Sequence, residues 1–356
     1  MVTSSLLKIA IPAILAFMVG IFITPFLTNI FYKYKLWKKV SRKDVATNPE
    51  MSEAFKKIHD DTTEVRTPRV GGIVVWGSVI LTMFIIFVMF ILFPSDITSK
   101  LEFVSRNQTF LPLFALFVGA FIGLIEDLLE INSNNKSLLH GLSGKTIIFI
   151  VSILGLVMGG WYYFKLGADF INVPIIHTQI HLGFLFIPFF ILVTLGTFSS
   201  RVIDGVDGLS GGVFATIFAA YAIIAFSQNQ IDLAAFCAAV TGAILAFLWF
   251  NIPPARFYMG ETGMLALTLA LTTVAFLTGQ VLLLLVIGFP LVMTSLSSFI
   301  QIWSKKIWGP EKGKIFKIAP LHHHFEASGW SRPKITMRYW ILSVVCATTG
   351  VILAII

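Results

Sequence analysis

The sequence predicts an all-α, polytopic membrane protein with about ten transmembrane helices and both termini on the outer face of the membrane. Its 356 residues are 56% hydrophobic and only 12% charged, whereas about a quarter of the residues in a soluble domain are charged. The apolar residues also form runs of about 20, the length that an α-helix needs to cross the hydrocarbon of a bilayer. We therefore expect one membrane-embedded domain over residues 1–356.

Ten apolar runs predict the spans in chain order. The first, from Ile9 to Tyr32, follows Lys8 but is too long for the apolar region of a signal peptide, and no A-x-A-like cleavage site ends it. The run near Phe218 is short, and the connection near Gln280 is tight. The predicted centres are Met18, Leu81, Leu116, Leu154, Ile191, Phe218, Leu245, Leu269, Phe289 and Val345.

Basic residues predict which end of each span faces the cytoplasm. With the N-terminus outside, the inner loops and their adjoining residues contain 22 of the 26 lysines and arginines. Cytoplasmic loops of membrane proteins carry such an excess. The formal charge of +8 therefore indicates loops that face anionic lipid rather than nucleic acid. The main inner loops are 33–69 and 304–336, and the shorter ones are 130–145, 200–208 and 251–261.

The two cysteines exclude some classes of site. Cys237 and Cys346 each lie within an apolar run, far apart in the sequence. Neither a disulfide framework nor a CxxC motif for zinc or redox chemistry is available to this chain.

Acidic residues collect at span ends on the predicted inner side. Glu126 and Asp127 close the third span in FIGLIEDLLEI, Asp204 and Asp207 follow the fifth in RVIDGVDGLSGG, and Glu261 follows the seventh in FNIPPARFYMGETG. Each of them could simply cap a helix or be solvated at its end, where a charge costs less than at the bilayer centre. The carboxylate of Glu261 is also a candidate ligand for a hard cation such as Mg²⁺.

Three adjacent histidines lie on the same predicted face, in APLHHHFEASGW. Their spacing differs from the i, i+4 spacing of helical metal ligands. We expect an extended loop, in which adjacent imidazoles point in different directions, so a single zinc site of three histidines is disfavoured. Contacts to phosphate and sugar fit these residues better, because a histidine can donate hydrogen bonds whether neutral or charged. A structural role for one of the three stays open.

Together these stretches resemble the polyprenyl-phosphate sugar-1-phosphate transferases. The resemblance covers nearly the whole chain and is carried by five ordered motifs. The triple histidine is the most specific, since it is typical of the members that transfer phospho-MurNAc-pentapeptide. The motifs are TPRVGG, GLIEDLLE, DGVDGLSGG, FNIPPARFYMGETG and APLHHHFEASGWSRPKITMRYWI.

The resemblance implies a ten-helix, often dimeric enzyme of the bacterial plasma membrane that requires Mg²⁺ and has its active site in a cytoplasmic cleft. It implies transfer of phospho-MurNAc-pentapeptide from UDP-MurNAc-pentapeptide to undecaprenyl phosphate, which releases UMP and forms lipid I. The matched positions imply roles for individual residues. The implied catalytic residues are Glu126, Asp127, Asp204, His323 and His324, the metal ligand is Glu261, and the substrate contacts are Asp207, Asn251, Tyr258 and His322.

Two glutamates depart from the family pattern, in which aspartates are usual. They are Glu126 and Glu261. A glutamate keeps the oxygen ligand but adds a methylene, and a misplacement of about 1 Å can cost roughly a hundredfold in rate.

Charges near the expected diphosphate also differ from the family pattern. Lysines are usual at the positions of Glu130 and Ile147, and an asparagine is usual at the position of Arg201. We add Arg201 and the nearby Lys145 to the substrate contacts, because they are the candidates to restore the lost positive charge.

Three alternative functions are weighed against this one. A transporter is disfavoured because its ionisable groups would lie near the bilayer midplane, whereas these acids lie at span ends. A related transferase that uses UDP-GlcNAc or another UDP-sugar is disfavoured by the histidine motif. A non-catalytic scaffold is suggested by Glu130 and Ile147.

Overall fold

The computed structural model describes residues 2–37, 66–95, 98, 101–105, 107–132, 142–176 and 178–356. Most of the predicted inner loop 33–69 and part of the loop 130–145 lie outside these residues. The described chain is mostly helical, as the all-α class predicts, with one short pair of strands. Its helices are α1 (Val2–Lys33), α2 (Gly72–Leu92), α3 (Phe110–Asn132), α4 (Gly144–Leu166), α5 (Phe186–Ser199), α6 (Leu209–Ser227), α7 (Ile231–Asn251), α8 (Gly260–Leu277), α9 (Leu284–Ile287), α10 (Phe289–Trp308), α11 (Leu321–Ala327) and α12 (Arg332–Ile355).

Nine helical segments of the described chain are long and apolar enough to cross a membrane. They are α1 to α8 and α12, with α5 extended by a 3₁₀ turn at each end to cover Gly183–Ile203. Nine of the ten predicted centres fall inside these segments. The all-α membrane class is therefore confirmed, while the outer position of the termini stays a prediction.

The tenth prediction, a span centred on Phe289, is wrong in its position. The four-residue helix α9 ends at Ile287, and α10 begins only at Phe289, with Pro290 in its first turn. Proline is favoured in the first turn of a helix but cannot continue a preceding one, because it has no N–H group to donate. Helix α10 ends with Lys305 and Lys306 in its last turn. The apolar run is thus divided by a helix break that its composition alone does not show.

One small β-hairpin interrupts the helical pattern. Strands β1 (Phe170–Val173) and β2 (Thr178–His181) pair in antiparallel fashion between α4 and α5, with Phe170 opposite His181. The pattern of apolar residues did not predict it. The hairpin lies at the end of the bundle where α4 ends and α5 begins, and therefore away from the acidic residues.

The centre of the bundle is formed by α6, α7 and α8. More than three quarters of the apolar window of each is buried, compared with 17% for α1 and 22% for α12. Helix α7 packs along α1 and α6, and α8 packs along α3. A helix that is apolar on all sides must be covered by other helices or by lipid. The peripheral helices therefore face lipid, and the three central ones form the protein core.

Close packing of α3 on the first turn of α8 depends on Gly123. A Cβ atom at Gly123 would lie 2.2 Å from the carbonyl oxygen of Glu261 and 2.7 Å from the Cα atom of Thr262. Overpacking of this kind costs about 1–3 kcal/mol. We expect Gly123→Ala to lower the melting temperature in detergent, because the two backbones must separate.

Gly160→Ala is the matched control for this prediction. Gly160 also lies inside a long helix, α4, but no atom lies within 4 Å of the position of its added Cβ. Alanine is favoured over glycine in a helix by about 0.5–1 kcal/mol. The control variant should therefore keep or raise the melting temperature, and equal melting curves for the two variants would contradict the packing argument.

Candidate active site

Asp127 joins the end of α3 to the start of α8. The N–H groups of Glu261 and Thr262 donate to its two carboxylate oxygens at 3.0 and 2.9 Å, and the residue is 2% exposed. A carboxylate at a helix N-terminus satisfies free N–H groups and interacts favourably with the helix dipole. Asp127 therefore positions Glu261, whose side chain begins at this same turn.

Asp204 also bonds to the first turn of α8. Its Oδ2 atom accepts the N–H of Gly260 at 3.0 Å, and its Oδ1 atom accepts the hydroxyl of Ser210 at 2.9 Å. Gly260 has φ +69°, and a Cβ atom there would collide with the carbonyl oxygen of Arg69, so only glycine fits this position. Burial raises the pKa of Asp204 above its usual range, although these two hydrogen bonds and the charge of Arg69 act in the opposite direction.

Asp207 and Asn251 link the loops that surround this turn. The carboxylate of Asp207 accepts the N–H of Ala255 at 3.1 Å. The side chain of Asn251 accepts the N–H of Gly208 at 3.0 Å and donates to the carbonyl of Phe257 at 2.8 Å. In this structure both predicted substrate contacts are bonded to backbone groups, and Asn251 is buried.

Arg201 lies between two acidic side chains at this end of the bundle. Its Nη1 atom donates to Oε1 of Glu126 at 3.3 Å and lies 3.0 Å from Oε2 of Glu261. Its guanidinium also lies over the ring of Phe198, 4.5 Å from the ring centroid. The arginine that departs from the family pattern is therefore the cation that contacts both unusual glutamates.

Several of these groups line a polar cavity of about 300 Å³. The cavity brings together residues from α3, α8, the 3₁₀ turn after α5, and the loops before α2 and α11. Pockets for small ligands usually measure 300–1,000 Å³, so this cavity lies at the lower end of that range. Its charged and titratable residues are Arg69, Asp127, Glu130, Arg201, Asp204, Glu261 and His323.

The histidine run is helical, which corrects the predicted extended loop. His323 and His324 lie in α11, with the N–H groups of both donating to the carbonyl of Pro320. Of the three, His323 lines the cavity. His322 is fully buried, with its ring centroid 4.3 Å from that of His323. His324 accepts the N–H of Lys317 through Nδ1 at 3.1 Å. The rings of His322 and His323 are in contact, so these two imidazoles do not diverge as expected, whereas His324 contacts Phe316 and Lys317 instead.

A carboxylate orients the ring of His323. Oε2 of Glu326 lies 2.9 Å from Nδ1 of His323, and Nε of Arg332 donates to Oε1 of Glu326 at 2.6 Å. Burial raises the pKa of Glu326, but the hydrogen bonds from His323 and Arg332 outweigh burial, and the pKa is lowered below its usual value. The glutamate therefore stays ionised and directs the other ring nitrogen, Nε2, away from itself.

Of the predicted substrate contacts, Arg201 lines the cavity, whereas five others do not: Asp207, Asn251, Tyr258, His322 and Lys145. Lys145 is exposed at the start of α4, and the neighbouring Ile147, where the family has a lysine, is buried in a hydrophobic cluster. The ring of Tyr258 lies under the guanidinium of Arg69, 6.0 Å away. The roles assigned to Lys145 and Tyr258 stay predictions.

Sequence analysis missed Arg69 and Glu326 as parts of this site. Arg69 belongs to the TPRVGG motif, but no role followed from its position. Glu326 lies three residues after His323, a spacing that places two side chains on one face of a helix. The helix, had it been recognised, would have pointed to this pair.

A comparison with known proteins supports the resemblance. The model of the family described as "Glycosyl transferase family 4" matches residues 109–279. Phospho-N-acetylmuramoyl-pentapeptide-transferase of Clostridium perfringens strain 13 is 33% identical over 340 residues, which cover 95% of this chain and 96% of the relative. The chain belongs to glycosyl transferase family 4.

Two other relatives extend this family relationship across bacteria. The protein of the same name from Bacillus subtilis strain 168 is 30% identical over 342 residues, or 95% of each chain. The one from Chloroflexus aurantiacus is 34% identical over 305 residues, which cover 82% of this chain and 78% of the relative. The family membership identifies the chain as a membrane-embedded transferase related to enzymes of peptidoglycan synthesis.

Proposed function

We propose that the protein transfers phospho-MurNAc-pentapeptide from UDP-MurNAc-pentapeptide to undecaprenyl phosphate, releasing UMP and forming lipid I. The relatives are named for this activity, and they align with the chain over nearly their whole length. The family contains transferases for several sugars, and the triple histidine favours this donor.

The observation that carries the proposal is a polar cavity beside an apolar groove. The groove has a volume of about 480 Å³ and is formed by α5, α8, the α9 segment and α10. Side chains such as Leu192, Leu285 and Phe299 are exposed along it. It reaches Ser199 and Ser200, directly before Arg201 of the polar cavity. A lipid tail in the groove would thus bring its phosphate to the charged groups.

The donors of the cavity fit a magnesium ion. Mg²⁺ prefers oxygen ligands and is often held by one or two carboxylates, together with waters and substrate phosphates. Glu126 has a buried carboxylate oxygen, Oε2, without a hydrogen bond, and Oε2 of Glu261 is held only in the ion pair with Arg201. Within the described residues, no three Asp, Glu, His or Cys side chains form a metal-binding group, so phosphates and waters would complete the ligands. We expect Glu261, with Glu126 beside it, to hold the ion, which when bound neutralises charge on the diphosphate.

The chemical step needs positioning more than proton transfer. An oxygen of the lipid phosphate forms a bond to the phosphorus attached to the sugar, and the bond to the bridging oxygen breaks as UMP leaves. A phosphate monoester has a second pKa near 6 and is mostly dianionic at pH 7, so the attacking oxygen needs little deprotonation. Glu126 or Asp127 would orient the acceptor or take its remaining proton, while Arg69 and Arg201 would offset the charge of the phosphates.

A two-step route through an aspartyl-phosphate on Asp127 is the alternative. The hydrogen bonds that both oxygens of Asp127 accept favour the one-step route, because a nucleophile would have to give one of them up. Asp204 would support the turn that carries Glu261, Asp207 and Tyr258 would hold the uridine, and the histidines would contact phosphate or sugar.

We further propose that the site faces the cytoplasm of a bacterial plasma membrane. The excess of lysine and arginine on the predicted inner loops supports the orientation. Both termini lie outside only when α10 also crosses the membrane, since the described residues form nine other candidate spans. The homodimer is proposed from the family resemblance.

The test is release of UMP by the purified protein in detergent. With undecaprenyl phosphate, UDP-MurNAc-pentapeptide and Mg²⁺, we expect turnover that stops when EDTA is added and that yields a lipid-linked product. UDP-GlcNAc in place of the MurNAc donor should give little or no product.

The outcomes separate the candidate functions. Preferential use of UDP-GlcNAc would identify a related transferase with another donor. A folded protein that releases no UMP from either donor, at any Mg²⁺ concentration tested, would contradict the proposed activity and favour the scaffold.

A further inference from the structure

Arg201 occupies a position between the two glutamates that are the candidate metal ligands. A single nitrogen, Nη1, contacts Oε1 of Glu126 at 3.3 Å and Oε2 of Glu261 at 3.0 Å. The stacking of the guanidinium on Phe198 restrains it in this position. One positive charge is thus shared by two carboxylates that belong to different helices, α3 and α8.

The surrounding charges make this cation important in the absence of a metal. The acidic residues that line the cavity are Asp127, Glu130, Asp204 and Glu261, and Glu126 contacts Arg201. Among the residues that the structure describes, no other ion pair with either Glu126 or Glu261 is found. An acidic cluster of this kind needs a nearby cation, because unpaired buried carboxylates are costly.

We propose that Arg201 is an internal counter-ion that competes with the divalent cation for Glu126 and Glu261. The inference rests on the proposed function, which assigns the metal to these glutamates. In the substrate-free protein the guanidinium pairs with both carboxylates, offsets one of their two charges, and weakens metal binding. The side chain retains 24% exposure, so it can turn towards the cavity when a diphosphate arrives. A guanidinium binds phosphate oxygens through paired N–H donors, and its departure leaves the carboxylates to the metal.

Competition predicts a specific effect of removing the arginine. The affinity of the substrate-free protein for a divalent cation should rise, because the carboxylates lose their internal partner. Couplings between two ligands that share a site or a conformational equilibrium commonly amount to 5–150-fold in affinity. We expect an increase of about tenfold for Arg201→Asn, within that range. A purely structural arginine would give the opposite result, since its loss would disorder the site and lower the affinity for the metal ion.

The experiment is a titration of the purified protein in detergent with Mn²⁺, followed by electron paramagnetic resonance of the free ion. Mn²⁺ serves as the probe for Mg²⁺, and no substrate is present. Arg201→Asn should bind about tenfold more tightly than the wild type, and Arg201→Lys, which keeps the charge, should stay close to the wild type. Equal or weaker binding by Arg201→Asn would overturn the competition.

A second variant tests the same inference if Arg201→Asn does not fold. Phe198→Leu leaves all charges in place but removes the aromatic ring over which the guanidinium lies. A cation–π contact of this kind contributes enough to shift an equilibrium about two- to fivefold. Mn²⁺ binding should tighten by that factor, and an unchanged affinity in a variant with wild-type thermal stability would count against the inference.

Glu261→Gln separates the inference from the proposed function. Combined with Arg201→Asn, it should abolish the tight Mn²⁺ site. If the tight site survives in the double variant, the metal assignment to Glu261 fails, whatever the activity assay shows. If Glu261→Gln alone weakens binding but Arg201→Asn does not strengthen it, the metal assignment stands and the competition fails.

The diphosphate part of the inference has its own measurement. In the presence of EDTA, calorimetry should show that Arg201→Asn binds UDP about fivefold more weakly than the wild type, because the guanidinium that would donate to the diphosphate oxygens is lost. The same UDP affinity in both proteins would show that Arg201 does not turn to the phosphates.

Discussion

Replacing Glu261 with glutamine is expected to lower the rate of UMP release by at least about a hundredfold while the protein stays folded. The side chain of Glu261 begins in the first turn of α8, beside the cavity, and its carboxylate contacts only Arg201 among the ion pairs of the described residues. Glutamine keeps the shape but removes the negative charge, and an amide oxygen is a weaker ligand for Mg²⁺ than a carboxylate. Steady-state rates at several Mg²⁺ concentrations measure the effect, which should lessen as Mg²⁺ is raised.

Glu130→Gln is the matched control for this prediction. Glu130 also lines the cavity, so its replacement removes the same charge from the same cluster but leaves the Arg201 contacts unchanged. We expect a rate within severalfold of the wild type. Equal losses in both variants would show that total charge, rather than a ligand at position 261, determines the rate.

The second large effect is expected for Asp127→Asn, which should lower both thermal stability and turnover. The two oxygens of Asp127 accept N–H groups from Glu261 and Thr262. Asparagine has only one oxygen, so its amide would face a backbone N–H and leave a buried donor unsatisfied, at a cost of about 1–3 kcal/mol. Turnover should fall about a hundredfold, because a shift of about 1 Å in Glu261 is enough for that loss.

Melting temperature in detergent and UMP release, measured on the same preparation, test this prediction. Asp169→Asn provides the control, since Asp169 lies by the β-hairpin, outside the active site, and pairs with His181 at the surface. Exposed substitutions usually change stability by less than about 0.5 kcal/mol. A loss of turnover in Asp127→Asn at unchanged melting temperature would assign Asp127 a chemical role alone. It would contradict the role of Asp127 in positioning Glu261.

The helices themselves were predictable because their signal is local. A run of about 20 apolar residues can satisfy its backbone hydrogen bonds in lipid only as a helix, whatever the rest of the chain does. Nine predicted centres fall inside candidate spans of the described chain for this reason. The error at Phe289 has the same origin, since hydropathy averages over the break between α9 and α10 and does not register the Gly288–Pro290 interruption.

The gathering of acids at one end of the bundle also followed from the sequence. Alternate spans run in opposite directions, so the ends of the third, fifth and seventh must meet at one face. Asp127, Asp204 and Glu261 were placed together on this basis, and all three line one cavity.

What each of these side chains does was decided only by the tertiary structure. Asp127 bonds to residues 134 and 135 positions away along the chain, and Arg201 bonds to Glu126 across 75 positions. Hydrogen bonds between such distant residues require helix positions that are correct to a few tenths of an ångström, and no local sequence pattern encodes that precision. The sequence by itself therefore determined the membrane class and the face that carries the chemistry. The packing of α3, α5 and α8 decided which carboxylates support the backbone, and which two share the guanidinium of Arg201.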